Sequence, residues 1–256
     1  MTLFEILICF LAGAGAGIGT GFAGMSAAGI ISPLLLTFCG VSPYEAIGIG
    51  LASDVLASAV SAWTYKKHGN LDVRNSLVLM SSVLIMTIVG SFVASLVPPS
   101  TMGGMSQIGL LVIGIKFLVK PGRPNGKFTN ESPRTKIIKA VIGGVLVGFI
   151  CGFVGAGGGM MLLFVLTSIL GYEVHKAVGT SVFIMTFTAL IGGVSHFGIS
   201  GMSNIPLLVL CVIFTFIWAR IASVIANKAS ERTLCRAAGV VMVVTSVIIL
   251  YFNFIR

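Results

Sequence analysis

The chain has 256 residues, of which 56% are hydrophobic and only 9% carry a charge. About a quarter of the residues in a soluble domain are charged, so this composition excludes a soluble globule and predicts an all-α polytopic membrane protein in the lipid bilayer. The net charge of +9 often accompanies a nucleic-acid partner. Here most basic residues lie in a few short loops, as in the cytoplasmic loops of membrane proteins, so we predict no nucleic-acid partner.

Ten apolar segments follow in chain order, in two groups of five. The first group covers residues 3–20, 25–40, 43–65, 73–97 and 101–119, and the second covers 137–154, 157–171, 174–197, 204–227 and 233–254. Residues 120–136 between the groups are rich in Pro, Gly, Asn and charges, which is typical of a linker. We therefore predict a first membrane repeat (1–119), a linker (120–136) and a second membrane repeat (137–256). The first segment lacks a basic stretch before it, which favours a retained helix over a signal peptide.

An early glycine-rich stretch, Gly19–Gly24 (GTGFAG), fits the G-x-G-x-x-G fingerprint of dinucleotide-binding folds. Glu45 follows at about the distance of a ribose-binding carboxylate. Such folds need strands, amphipathic helices and polar loops, which this composition does not supply. The corresponding stretch of the second half, Ile150–Gly159 (ICGFVGAGGG), keeps G-F-x-G but not the full fingerprint. The repeated feature is therefore not a nucleotide site.

The two groups of segments are repeats of one another. Under a shift of 131 positions, Gly13, Gly17, Gly21, Phe22, Gly24, Leu35, Gly40, Ala46 and Gly48 fall on Gly144, Gly148, Gly152, Phe153, Gly155, Leu166, Gly171, Ala177 and Gly179. Most of these matches are glycines, which are costly inside helices unless the backbone needs them. The shared spacing therefore indicates a shared backbone geometry.

Loop charges predict how the two repeats are oriented. The loop after the third segment holds Lys66, Lys67 and Arg74, whereas its equivalent, residues 196–204, has no Lys or Arg. The loop after the fourth segment, residues 97–101, is uncharged, whereas its equivalent is basic. If basic loops are cytoplasmic, equivalent loops lie on opposite sides of the membrane. This pattern predicts an inverted-topology repeat with both termini outside and a cytoplasmic linker; a parallel repeat remains the alternative.

The second and seventh segments are short, about 15 residues against the roughly 20 that cross a bilayer. We expect about eight to ten membrane segments, of which these two form broken or re-entrant hairpins with the segments before them. Short, glycine-interrupted segments at matching positions indicate a transporter binding site, because a helix start favours an anion. The predicted substrate-binding residues are Gly24, Ser26, Ala27, Ala28, Ser53, Gly155, Gly157, Gly158, Gly159, Thr180 and Ser181. Close helix packing through small residues is the alternative for any single glycine.

Asp54 is the sole acid deep in a predicted span, and an intramembrane acid is a candidate functional residue. It is predicted to couple transport by carrying a proton or binding a cation; the alternative is a neutral acid bonded to neighbouring Ser53 or Ser58. The residue equivalent to Asp54 is Met185, so any role is asymmetric. Arg220 is expected to extend to the interface, with attraction of an anion as the alternative. No His, Cys or Asp cluster has metal-ligand spacing, and the five cysteines are interpreted as small buried hydrophobes.

These motifs as a set resemble the TauE/SafE family of sulfite and organosulfonate permeases. The resemblance rests on the duplicated G-F-x-G hairpins, on Pro33, on the A-x-G-T-S stretch Ala177–Ser181, and on Tyr65 followed by Gly69–Asp72. It spans residues 10 to 250 and implies a permease of small sulfur-containing anions in a prokaryotic inner membrane, without a cofactor. We expect transport by alternating access. The alternatives are a carrier or channel for another small anion or metabolite, a proton-coupled uptake permease and, least favoured, a membrane-embedded enzyme. A homodimer is left open as the assembly.

Overall fold

The computed structural model describes residues 2–96, 111, 112, 114–116, 118, 119, 132–154, 158–200 and 203–255. In the first half, α1 spans Leu3–Ala23, α2 Ala28–Phe38, α3 Pro43–Lys67 and α4 Val73–Ser95. In the second half, α5 spans Pro133–Val154, α6 Gly158–Phe164 with a π-helical turn at Val165–Ile169, α7 Val174–Ser200, α8 Ile205–Lys228 and α9 Glu231–Ile255. The described residues contain no strand, which confirms the all-α prediction. Most of the fifth apolar segment and of the linker lies outside the described residues.

Six of the described helices are long and apolar enough to cross a membrane, namely α1, α3, α4, α5, α7 and α8. Helix α2 has 11 residues, which at 1.5 Å per residue covers only about half of a hydrocarbon core of about 30 Å. The α6 segment, Gly158–Ile169, is also too short to span. The protein is therefore a multi-pass membrane protein with a short helix at the predicted place in each half.

Helices α1 and α2 form a hairpin around a left-handed glycine. Gly24 ends α1 with φ 61°, a conformation that a residue with a Cβ rarely adopts. The Thr20 hydroxyl stabilises the turn by donating to the carbonyl of Met25 at 2.8 Å. The rings of Phe4 and Phe38 lie 6.4 Å apart at the other end of the hairpin. Helix α2 therefore returns along α1 towards the side from which α1 starts.

Glycines at four-residue spacing form close contacts between helices in each half of the protein. On α1, Gly13 faces Phe214, Gly17 faces Thr215 and Gly21 faces Ala222 of α8; on α5, Gly144 faces Ser82, Gly148 faces Val83 and Gly152 faces Thr87 of α4. A Cβ on Gly17 would lie 2.6 Å from the carbonyl oxygen of Thr215. The repeated glycines thus let two helix backbones approach, which is the small-residue packing considered as the alternative.

The contacts also define helix directions. The numbering rises together along α1 and α8 and along α5 and α4, so each of these pairs is parallel. Helices α3 and α7 are antiparallel, because Gly179 lies beside Tyr65 whereas Phe197 lies beside Gly48. These two helices are the most enclosed, with 67% of the residues in each span buried. The equivalent helices α3 and α7 therefore run in opposite directions. The inverted repeat of the whole halves and the side of the membrane on which each loop lies stay predictions.

Glu45, the acid at the ribose-like distance from GTGFAG, caps a helix in the other half. Its carboxylate accepts hydrogen bonds from the backbone N–H groups of Ser203 at 2.9 Å and Asn204 at 2.7 Å, directly before α8. A carboxylate at a helix start satisfies unpaired N–H groups and opposes the positive end of the helix dipole. This buried contact ties the start of α3 to the start of α8.

Asp72 similarly joins the α3–α4 loop to the second half. It accepts from Asn75 at the start of α4 and from the hydroxyl of Tyr172 at 3.2 Å, and its N–H donates to the hydroxyl of Thr180. Partial burial disfavours its charged form, but the hydrogen bonds from Asn75 and Tyr172 and the charge of Lys176 outweigh burial and lower the pKa of Asp72. Burial and the neighbouring Asp72 raise the pKa of Tyr172.

Candidate anion site at the paired helix breaks

Each half has a helix break, between α1 and α2 in the first half and between α5 and α6 in the second. The two helix breaks contact each other. Gly159 at the start of α6 lies so close to the carbonyl oxygen of Gly24 and to the sulfur of Met185 that a Cβ on Gly159 would overlap both. Gly24 in turn lies against the hydroxyl of Ser181 on α7. The turn before α2, the start of α6 and the middle of α7 therefore share one small region, as expected from the paired glycine clusters.

The side chain of Asp54, a residue of α3, contacts the turn before α2. Asp54 is the twelfth of the 25 residues of α3 and is fully buried. The hydroxyl of Ser26 donates to Oδ2 and that of Ser58 donates to Oδ1, each at 2.8 Å, and the backbone of Ala27 adds a further hydrogen bond. The first helix start is thus occupied by a carboxylate of the chain itself, since the donors predicted to bind cargo, Ser26 and Ala27, bind Asp54.

The second helix start has a different partner. The backbone of Gly158 hydrogen-bonds the Cys151 thiol of α5, whose sulfur lies against Gly158. Under the 131-residue shift, Met185 occupies the position of Asp54, and its sulfur lies beside Gly159. Among the described residues, no carboxylate hydrogen-bonds the start of α6. The starts of the two short helices therefore differ in charge.

The other predicted residues are placed as follows. The Ser53 hydroxyl donates to the Ile49 carbonyl of its own helix at 2.8 Å, away from Asp54. Ala28 packs against Gly50 of α3. Thr180 faces the α3–α4 loop through Asp72, so it lies apart from the contact between the breaks. Gly155 and Gly157 lie outside the described residues. The structure brings together Gly24, Ser26, Ala27, Asp54, Gly158, Gly159 and Ser181.

Cys151 is a member of this region that sequence reasoning missed. Its sulfur lies against Gly158, where a Cβ would overlap it. A scattered cysteine in an apolar segment gives no signal of its own. The sequence feature that could have predicted its role is the interruption between α5 and α6, because residues a few positions before the start of a short helix can face its unpaired N–H groups.

Arg220 lies at the far end of α3 from the start of that helix. Its guanidinium donates to the hydroxyl of Thr64 and lies 5.7 Å from the centre of the Trp63 ring. The ammonium of Lys67 lies 4.0 Å from the same ring. An exposed aromatic ring with two neighbouring cations is typical of an interfacial anchor; the extension of Arg220 to the interface stays a prediction.

Comparisons with known proteins agree that this chain is similar to membrane transporters. The family model Sulfite exporter TauE/SafE matches residues 9–249. The chain is 23% identical over 250 residues to the probable membrane transporter protein YdhB of Bacillus subtilis (strain 168), covering 96% of this chain and 99% of that protein. It is 24% identical over 259 residues to the probable membrane transporter protein YunE of the same organism, covering 96% and 94%.

A probable membrane transporter protein of Haemophilus influenzae is 26% identical over 208 residues, covering 78% of this chain and 76% of that protein. No solved structure matches the chain. The family match covers nearly the whole chain, including both helix breaks and Asp54. This membrane transporter therefore belongs to the sulfite exporter TauE/SafE family.

Proposed function

We propose that the protein moves a small sulfur oxyanion, sulfite or an organosulfonate, across the membrane by alternating access. The anion binds where the two helix breaks meet, with Gly24, Ser26 and Ala27 on one side and Gly158 and Gly159 on the other. Ser181 adds a hydroxyl, and Gly155 and Gly157 extend the predicted set. The observation that carries this proposal is the contact of Gly159 with the carbonyl of Gly24, which joins two short-helix starts.

The chemistry of the region suits an oxyanion. Backbone N–H groups at helix starts and serine hydroxyls donate hydrogen bonds, and sulfite or sulfonate oxygens accept them. Helix dipoles add a partial positive charge at the same place. The side-chain carboxyl group of Asp54 already accepts hydrogen bonds from Ser26 and Ala27, which supports a role of the same donors in binding an anion.

Asp54 is proposed to couple transport to protons. In its ionised form it repels a cargo anion and holds the donors of the first break. Protonation removes the charge and weakens its hold on Ser26 and Ala27. A proton that enters on Asp54 with a monoanion makes the combined movement electroneutral. Each 100 mV otherwise costs about 2.3 kcal/mol per negative charge moved inward.

The charge carried across the membrane also determines which direction of transport the membrane potential favours. Export of a monoanion from a negative interior is favoured by the membrane potential and needs no coupling ion. Uptake opposes the potential and requires the proton of Asp54. We propose transport rather than catalysis for this chain, in keeping with the relatives, which are named as membrane transporters.

Ligand binding followed by flux tests the proposal. Purified protein is screened by thermal shift against sulfite, sulfate, thiosulfate, sulfoacetate and acetate, and each hit is then tested for flux in proteoliposomes. Sulfite or sulfoacetate is expected to raise Tm and to be transported, with acetate as the control for a carboxylate anion. Stabilisation by none of the sulfur anions, or flux equal to that of empty liposomes, would contradict the assigned substrate class.

A further inference from the structure

A row of buried polar side chains runs along one face of α3. Asp54, Ser58, Ser61 and Tyr65 follow one another at spacings of four, three and four residues, so they share one stripe of the helix. Each of the four is fully buried. Such a row inside a membrane is costly unless its members are bonded or hydrated.

Three members of the row have partners in the described residues. Ser58 donates to Asp54, Asp54 binds Ser26, and the Tyr65 hydroxyl donates to the Gly21 carbonyl at 2.9 Å. The hydroxyl of Ser61 has no hydrogen-bond partner among the residues that the structure describes.

Ser61 lies in the row between Asp54 and Tyr65, which both bond to the segment from Gly21 to Ser26 at the end of α1. Buried polar groups almost always bond to protein or to ordered water. The Ser61 hydroxyl therefore has an unmade hydrogen bond that an internal water would complete.

The polar row extends from Asp54 towards only one end of α3. From Asp54 towards the start of α3, the same face carries Gly50 and Ile47, which have no hydrogen-bonding side chains. In the other direction α3 continues past Tyr65 to the exposed residues Lys66–His68. The Nδ1 of His68 lies 2.8 Å from the Thr64 carbonyl.

Few titratable groups face Asp54 from the surrounding helices. Among the described residues, α5 contributes the Cys151 thiol, the turn before α2 contributes Ser26, and α7 approaches the helix breaks with Ser181 and Met185. The cation of α8, Arg220, binds Thr64, ten residues further along α3. Among the described residues, the polar row is therefore the set of side chains that extends from Asp54 towards the charged, exposed end of α3.

We propose that Ser61 binds an internal water which, with Ser58, connects Asp54 to the end of α3 that carries Lys66–His68. Asp54 exchanges its proton with bulk water on that face: the proton arrives from bulk water along the row and returns to it when the carboxylate forms again. This inference rests on the proposed coupling role of Asp54, but the hydration of Ser61 does not depend on the identity of the cargo.

Cysteine accessibility tests the hydrated row without any substrate. S61C and S53C are matched variants, because both replace fully buried serines of α3 but only the Ser53 hydroxyl bonds its own helix. Each variant is reconstituted and treated with an impermeant thiol reagent on one face at a time. Peptide mass spectrometry separates each position from the native cysteines. An impermeant amine reagent on Lys67 identifies the face.

S61C is expected to react about tenfold faster than S53C, and from the face that labels Lys67. Equal rates for the two variants, or faster labelling of S61C from the opposite face, overturn the proposal. Wild-type protein provides a second measurement that needs no variant at Ser61. A water-soluble carbodiimide is expected to modify Asp54 faster from the Lys67 face, with D54N as the control for site specificity, and faster modification from the other face overturns the proposal.

The two proposals fail in different ways. If the protein does not bind sulfur anions, these anions do not raise Tm, while the difference in labelling rate between S61C and S53C remains. If the polar row is wrong, the labelling contrast disappears while anion binding and flux remain. S61V, which removes the hydroxyl and fills its place, is expected to slow proton movement during uptake with little change in anion affinity.

Discussion

Replacement of Asp54 by asparagine separates its charge from its shape. D54N keeps a side chain of the same size that can still bond to Ser26 and Ser58, but it carries no negative charge. If cargo binds at the same helix start, its charge lies within about 6 Å of the Asp54 carboxylate, because both accept from Ser26 or Ala27. At an effective dielectric constant of about 20, two like charges at that distance repel by about 3 kcal/mol.

A repulsion of about 3 kcal/mol corresponds to roughly 100-fold in affinity. D54N is therefore expected to bind the sulfur anion roughly 100-fold more tightly than the wild type at pH 8, and to lose the pH dependence of binding. Uptake against a negative-inside potential should fall to background, because no proton accompanies the anion. Isothermal titration calorimetry from pH 5 to 8 measures the first effect, and proteoliposome flux with an imposed potential measures the second. Unchanged affinity together with unchanged pH dependence would refute the competition between Asp54 and cargo.

Three further substitutions test other parts of the structure. G159A is expected to abolish transport and lower Tm, since its Cβ overlaps the Gly24 carbonyl and overpacking costs about 1–3 kcal/mol; G198A, whose Cβ meets nothing within 4 Å, is the control and should behave as wild type. E45Q is expected to lower Tm by weakening the cap on α8, at a cost of about 2 kcal/mol, while anion affinity stays within twofold; a large loss of affinity would place Glu45 in the site instead. Because the pKa of Asp72 is lowered from 3.8, its stabilising effect is present above about pH 4 and is lost as the pH falls through the lower folded-state pKa. D72N should therefore lower Tm at pH 7 and flatten the fall in Tm on the acid side of pH 4, and thermal scans showing identical acid limbs for both proteins would contradict this linkage.

Hydropathy and glycine spacing were sufficient to predict the helical membrane class and the short helix in each half, because both depend on local features of the chain. They did not predict what each glycine contacts. In GTGFAG, Gly21 packs on Ala222 of α8, and Gly24 forms a left-handed turn and meets Ser181. These two roles, helix packing and contact between breaks, look alike in sequence because both require a missing side chain.

The partners of Asp54 show a second limit. Sequence reasoning considered neighbouring Ser53 and Ser58, and helical geometry favours Ser58, one turn away. Ser53 points to a different face and bonds its own helix. The contact with Ser26 spans 28 positions and arises only because α2 folds back along α1. The placement of Thr180 beside Asp72, separated by 108 positions, likewise depends on packing between the halves.

An anion located directly between the helix breaks is the most direct test of the account. Selenite is a heavier analogue of sulfite, and its anomalous scattering identifies it in a crystal of the protein. We expect a selenium peak beside the contact of Gly24 with Gly159, with its oxygens within hydrogen-bond distance of Ser26 or Ser181. A single peak elsewhere in the protein, in crystals of protein that transports sulfite, would contradict the proposed site.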